Sequence, residues 1–249
     1  MKIGIRVAYI GTKYCGFQKQ KRNDDKLYAI QDIIENILEK VHRRYISTIG
    51  SSRTDAGVHS NGNYVVFETD KDIKANKWKD VINANLPDDI IVIESEEVDK
   101  EFHPLKEKSK KCYMYRFSTN KYLLPKKRID TWIIGRELDI KKINEAAQLI
   151  KGTHDFRAFK SGKKKYNTTI REIYKSEIII DDDIITYKIE GNGFMYNMVR
   201  IIVGTLVEIG LGKRKIDDIY SAYKTGDSKF TGATAPANGL TLEYIKFGR

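Results

Sequence analysis

The sequence predicts an α+β protein of two ferredoxin-like halves, each an antiparallel sheet flanked by helices. Three observations lead there: a period-two strand near the start, an amphipathic helix after it, and a β-α-β-β-α-β order of segments complete by Ser95. In the first strand Ile3, Ile5, Val7 and Tyr9 alternate with Gly4, Arg6 and Ala8, so one set of side chains shares a buried face. From Tyr28 to His42 the residues Ile30, Ile33, Ile34, Ile37, Leu38 and Val41 recur at helical spacing, with Glu35, Asn36, Glu39 and Lys40 opposite. Tyr45 to Ser51 and Asn63 to Glu68 read as short strands around a polar loop, Ala75 to Leu86 as a helix stopped by Pro87, and Ile90 to Ser95 as a further strand.

The second half reads as a looser version of the same order. It has strands at Cys112 to Ser118 and Thr131 to Ile134, a helix over Ile140 to Lys151, and paired strands at Ile170 to Ile180 and Ile184 to Glu190. A helix from Phe194 to Gly210 and a last strand from Leu240 to Phe247 complete it, and no residue-level repeat relates the halves. Lys106, Lys108, Lys110 and Lys111 cluster in a polar stretch, which sets the boundary between an N-terminal half over 1–105 and a C-terminal half over 106–249.

Composition narrows the function classes. With 249 residues, 41% of them hydrophobic, the chain can bury a core. Lys and Arg outnumber Asp and Glu by 45 to 34, a formal charge of +11, which points to a polyanion partner unless it reflects only a lysine-rich composition. Cys15 and Cys112 stand far apart, so neither a disulfide framework nor a cysteine zinc site is indicated, and a reducing cytoplasm is expected. The chain opens on a strand-like run instead of a signal-type segment. Its most apolar window, Met195 to Leu211, is interrupted by Arg200 and Glu208 and is too short to span a bilayer. No phosphate-binding glycine loop, H-E-x-x-H pair or nucleophile-elbow serine occurs, and His42, His59, His103 and His154 are scattered, so neither metal nor cofactor is expected.

The segment R-T-D-A-G-V-H, Arg53 to His59, is the first candidate for chemistry. In an extended conformation Arg53 and Asp55 project to the same side. Spacing alone favours an Asx turn before Gly57 and a solvated arginine. The helix from Phe194 is apolar nearly all round, with Arg200 as the cation in that run. A guanidinium against such a core is costly unless a carboxylate pairs with it; Asp55 is the candidate partner, and snorkelling to solvent is the alternative. Basic and aromatic residues also interleave at Tyr14, Phe17, Lys19, Lys21 and Arg22, at Lys110, Lys111, Tyr113, Tyr115 and Arg116, and at Phe159, Lys160, Lys163, Lys164, Lys165 and Tyr166. Cations neutralise phosphates, and rings stack on bases that have left a helix. Strand periodicity puts Tyr113 and Tyr115 on one side.

R-T-D-A-G-V-H resembles the signature loop of the TruA family of tRNA pseudouridine synthases. The likeness extends through Tyr9 to Gln18, Asn83 to Ile90, Lys111 to Phe117, Gly152 to Phe159, Phe194 to Gly204 and Ala235 to Leu242. The resemblance implies two ferredoxin-like (RRM-like) halves facing a basic RNA-binding cleft, in a cofactor-free homodimer that grips tRNA. It implies an isomerase, an intramolecular transferase, that converts uridine to pseudouridine at positions 38 to 40 of the anticodon stem-loop. Asp55 would be the catalytic aspartate, Tyr113 the tyrosine against the target base, and Arg200 the basic residue pairing with the aspartate. Arg53, Phe17, Gln18, His59, Lys111, Arg116, Lys163 and Lys164 are expected to help bind the RNA. Ser52 and Asn63 stand where the family usually has Gly and Gln, and Pro104 and Leu105 where it commonly has Ala and Arg. These departures leave a paralogue acting on ribosomal RNA, or a non-catalytic RNA-binding protein of the same fold, as alternatives.

Overall fold

The computed structural model describes residues 1–19, 28–162 and 165–248. They divide into two compact units, Met1–Lys108 with Leu242–Arg249, and Ser109–Thr241. The first unit contains strands β1 (Lys2–Tyr9), β2 (Thr48–Gly50), β3 (His59–Glu68) and β4 (Ile90–Val98) with helices α1 (Ile30–His42) and α2 (Trp78–Asn83). β1 lies between β3 and β4, antiparallel to both, with Ile5 opposite Val65 and Ser95, and β2 pairs with β3. The inward side chains of β1, Ile3, Ile5, Val7 and Tyr9, form one buried cluster with Ile30, Ile34, Ile37 and Leu38 of α1 and Trp78 of α2. The periodicities of strand and helix therefore meet in a single apolar layer. α2 is shorter than the pattern over Ala75 to Leu86 suggests: Ala75–Lys77 is a tight 3-10 turn and the α-helix stops at Asn83. The Asn83 side chain docks on β4, donating to Val92 O at 2.9 Å and accepting from Val92 N at 2.8 Å.

The second unit contains β5 (Ser109–Ser118), β6 (Trp132–Ile133), α3 (Ile140–Ile150), β7 (Gly152–Asp155), β8 (Ile170–Asp181), β9 (Ile184–Gly191), α4 (Met198–Gly210) and α5 (Asp218–Thr225). Its sheet runs β5-β9-β8-β7, antiparallel throughout, with the short β6 parallel to β5. Tyr113 and Tyr115 face Ile189 and Tyr187 across the β5–β9 ladder. Ser176 joins Tyr187 Oη to the α3 carbonyl of Ala147, at 2.8 and 2.6 Å, which identifies this as the helix-covered face. Among the described residues no helix is long and apolar enough to cross a membrane.

Two sequence expectations are corrected. The helix expected from Phe194 begins at Met198, because Asn197 takes the left-handed conformation (φ 60°) and Gly193 has φ 157°. The last strand, β10 (Leu240–Phe247), falls by sequence in the half over 106–249, yet it joins the first unit beside β3 from Leu242 onward. Phe247 packs edge-on against Tyr64 and Phe102, at 5.2 and 5.1 Å, while Asn61 donates to Glu243 Oε2 at 2.9 Å. The strand itself is legible from its pattern; contacts formed across most of the chain's length decide which sheet receives it.

Candidate active site

In the first unit, the chain leaves β2, passes through Arg53, Thr54 and Asp55, and enters β3 at His59. Val58 N donates to Asp55 O at 3.1 Å and Gly57 takes φ 79°, so the carboxylate-bearing residue opens a tight turn. Residues 9–17 clamp this turn. Tyr9 Oη lies 2.7 Å from Thr54 Oγ1, Phe17 N donates to Thr54 O at 3.0 Å, and Gly11 N donates to His59 Nδ1 at 3.1 Å. Gly16 permits the approach: its φ is +104°, and a Cβ there would stand 2.6 Å from Thr54 O. Asp55 is left half-buried and Arg53 exposed.

Ser52, Asn63 and Pro104, where the resemblance leads one to expect Gly, Gln and Ala, gather behind the same turn. Asn63, wholly buried, accepts from Ser52 N at 3.2 Å and donates to Ser52 O at 2.9 Å. Ser51 Oγ donates to Pro104 O at 3.3 Å. Ser52, Asn63 and Pro104 thus act on the scaffold of the aspartate turn. In these bonds Asn63 alone of the three uses its side chain; Ser52 and Pro104 contribute backbone atoms that any residue there would supply.

In the second unit, Tyr113 is buried on β5 with its ring edge-on to Phe194, centroids 5.2 Å apart. Arg200 lies in the first turn of α4 and ties back to the protein instead of extending along its stem to solvent. Its Nε donates to Ala235 O at 2.7 Å and its Nη1 to Asn197 Oδ1 at 2.9 Å. Two donors of a planar guanidinium set its orientation. The loop presenting Ala235 is strapped along α4. Gly232 N donates to Thr205 Oγ1 at 2.8 Å, Ala233 N to Glu208 Oε1 at 3.0 Å and Ala235 N to Arg200 O at 3.1 Å. Tyr115 Oη donates to the next carbonyl, Pro236 O, at 2.7 Å. Burial pushes the Tyr115 hydroxyl up, against a smaller opposite pull from Arg200, so it stays a neutral donor at physiological pH. Lys111, two residues before Tyr113 on the same side of β5, has its ammonium pulled down to about 8 by burial.

The structure therefore sorts the expected residues. Asp55, Arg53 and His59 share the clamped turn of the first unit; Lys111, Tyr113 and Arg200 belong to the second. His59 is buried and accepts a hydrogen bond from the backbone of Gly11. Phe17 is 1% exposed, its ring in the first unit's core, while Gln18 is half-buried. Arg116 projects from the face of β5 opposite Tyr113 and pairs with Asp130 at 2.5 Å. Lys163 and Lys164 lie outside the described residues, as do Lys21 and Arg22. Sequence reasoning missed Asn197, Thr205, Glu208 and Ala235 as supports of Arg200. The available signal was A-P-A-N-G after Thr234, a turn-rich stretch whose acceptors are backbone oxygens. Among the described residues no group of three or more His, Cys, Asp or Glu could hold a metal ion.

Comparison with known proteins supplies the family. A model described as tRNA pseudouridine synthase matches residues 5–104 and 146–248, which include the aspartate turn and Arg200, with Tyr113 between the two stretches. The tRNA pseudouridine synthase A 2 of Clostridium tetani is 41% identical over 243 residues, covering 98% of this chain and 97% of that one. The tRNA pseudouridine synthase A of Thermoanaerobacter sp. (strain X514) is 40% identical over 241 residues, 97% of each chain. That of Geobacillus sp. (strain WCH70) is 38% identical over 247 residues, covering 99% of this chain and 98% of its own. With more than half its length matched and relatives near 40% identity end to end, the chain belongs to the tRNA pseudouridine synthase family.

Proposed function

We propose that this chain isomerises uridine to pseudouridine in tRNA, at positions 38 to 40 of the anticodon stem-loop, with Asp55 as the catalytic carboxylate. The reaction breaks the glycosidic bond from N1, turns the base, bonds C5 to the same sugar carbon and releases the C5 proton. Substrate and product are isomers, so no co-substrate is consumed. Asp55 acts in its ionised form, by attack on the sugar carbon or by removal of a ribose proton, and Arg200 is the cation that keeps it ionised. Tyr113 lies against the extruded base and helps remove the C5 proton directly or through water. Arg53 and Lys111 contact the RNA, with Lys163 and Lys164 as further phosphate contacts.

The observation that carries this reading is the Asp55 turn. A half-exposed carboxylate on a backbone clamped from both sides is suited to a reaction needing one placed acid group. The oriented guanidinium of Arg200 supports it. We place the protein in the cytoplasm, where tRNA is modified and where two buried free cysteines stay reduced, and we take the working form to be a homodimer. Release of tritium from C5-labelled uridine in a tRNA transcript tests the chemistry, and mapping pseudouridine in tRNA and ribosomal RNA with and without the protein tests the position. Loss of the signal in ribosomal RNA alone would assign the chain to that substrate. Sedimentation showing only monomer would remove the dimer.

A further inference from the structure

Tyr196 stands out among the exposed tyrosines for what holds it. Its side chain is half-exposed at 49%, yet its backbone is pinned on both sides: Tyr196 N donates to Tyr166 Oη at 2.9 Å and Ser161 N donates to Tyr196 O at 3.3 Å. The next residue adds a third tie, Asn197 Nδ2 donating to Ser161 Oγ at 2.7 Å. Gly162, with φ +76°, brings bare backbone beside the ring; a Cβ there would be 3.5 Å from Tyr196 Cδ1. Isolated exposed tyrosines such as Tyr122 and Tyr220 are ordinary surface residues. Tyr196 differs by position as well, two residues after Phe194, whose ring meets Tyr113, and four before Arg200.

The segment that pins Tyr196 also carries charge of one sign only. Residues 160–168, K-S-G-K-K-K-Y-N-T, carry four lysines and no carboxylate. Arg171 follows, its Nη1 donating to Thr168 O at 2.9 Å, with its guanidinium close enough to Tyr166 for the two to interact electrostatically. A ring rooted in such a segment meets both halves of a nucleotide, the base and the phosphate. Two residues of chain span at most about 7 Å, and successive bases along a stacked strand lie about 3.4 Å apart. A nucleotide next to one held at Tyr113 therefore comes within reach of Tyr196.

We propose that Tyr196 is a positioning residue whose ring stacks on the base adjacent to the uridine being isomerised, while Lys160 and Lys165, on either side of the segment that pins it, hold that stretch of RNA by its phosphates. The proposal rests on the uridine-isomerase reading. Extruding a base strips its neighbour of a stacking partner, and an exposed ring replaces that partner. The effect is on alignment and affinity, with the bond-breaking step left to Asp55.

The test is a two-way cycle with single-turnover tritium release from tRNA labelled at C5 of uridine. Tyr196→Ala raises the half-saturating concentration about tenfold, the size of one ring-on-base stack, and lowers the maximal rate far less; Tyr196→Phe behaves as wild type. A second substrate carries an abasic residue on the 5′ or 3′ side of the uridine that the wild type modifies. One of these two positions costs the wild type a similar factor and costs Tyr196→Ala nothing further. Unchanged half-saturation in Tyr196→Ala, or an abasic penalty equal in both proteins at both positions, overturns the proposal. An altered sedimentation coefficient with the abasic penalty intact assigns the ring to a protein interface and overturns it too. A wild type that releases no tritium from tRNA removes the isomerase reading itself, which is a separate result.

Discussion

Replacing Gly204 by alanine tests whether the loop carrying Ala235 is pressed onto α4. A Cβ at this position would lie 1.7 Å from Ala233 O and 2.9 Å from Ala233 C, both backbone atoms, so no flexible side-chain end can move aside. The loop must lift or the helix must shift. Lifting endangers four hydrogen bonds: Gly232 to Thr205, Ala233 to Glu208, Ala235 N to Arg200 O, and Arg200 Nε to Ala235 O. At about 1 kcal/mol each, complete loss costs about 4 kcal/mol, while accommodation by strain costs about 1–3 kcal/mol. Alanine returns about 1 kcal/mol of helix propensity. Accommodation by strain therefore nets about 0–2 kcal/mol and complete loss of the bonds about 3 kcal/mol, a fall in Tm of up to about 6–12 °C for a chain of this size. Because Ala235 O orients the guanidinium, single-turnover tritium release at saturating tRNA should fall at least about tenfold, roughly the effect of misplacing one catalytic group. Thermal and urea unfolding measure the first quantity and tritium release the second. A Gly204→Ala protein as stable and as active as the wild type would show that propensity outweighs packing here, and the account of how Arg200 is held would fail.

Asn63→Ala removes the two hydrogen bonds that the Asn63 side chain makes to the Ser52 backbone and should cost about 2–4 kcal/mol in urea unfolding; Ser52→Gly combined with Asn63→Gln, the pair that the resemblance leads one to expect, should come back to within about 1 kcal/mol of wild type. Lys111 has a folded-state pKa of about 8, below its unfolded value of about 10.4, so the unfolded chain binds more protons between them and stability rises with pH across that window. The stability advantage of Lys111→Met over wild type should accordingly be largest below pH 8 and shrink toward pH 10.4; a difference independent of pH contradicts desolvation as the cause. Arg200→Lys cannot hold Ala235 O and Asn197 Oδ1 in one plane, so kcat/KM should drop about 100-fold with tRNA affinity nearly retained, and a fully active lysine variant would remove the role of that geometry.

What the sequence discloses depends on how local the cause is. β1 and α1 follow from periods of two and 3.6 read over a few residues, and β10 is bounded at Leu240 and Phe247 by the same alternation. The start of α4 is obscured because Phe194 to Met198 continue the apolar pattern while Asn197 turns the backbone left-handed. The membership of β10 rests on Phe247 and Glu243 meeting residues far away in the chain, which no window contains. At the candidate site, Arg200 is conspicuous as a cation on an apolar helix, and Asp55 through its motif. The oxygens that orient Arg200 come from a carbonyl and an asparagine and carry no charge to notice. The interleaving of rings and cations does not say which face each takes: Phe17 packs in the core, and Arg116 pairs with Asp130 on the face of β5 opposite Tyr113.

The central claim is that Asp55 carries the isomerisation, and single-turnover tritium release from C5-labelled tRNA, run beside a tRNA-binding measurement, addresses it most directly. The wild type should release tritium and leave pseudouridine in the anticodon stem-loop, while Asp55→Ala should bind the same tRNA and release none. Tritium release by Asp55→Ala at anything near the wild-type rate would contradict the account.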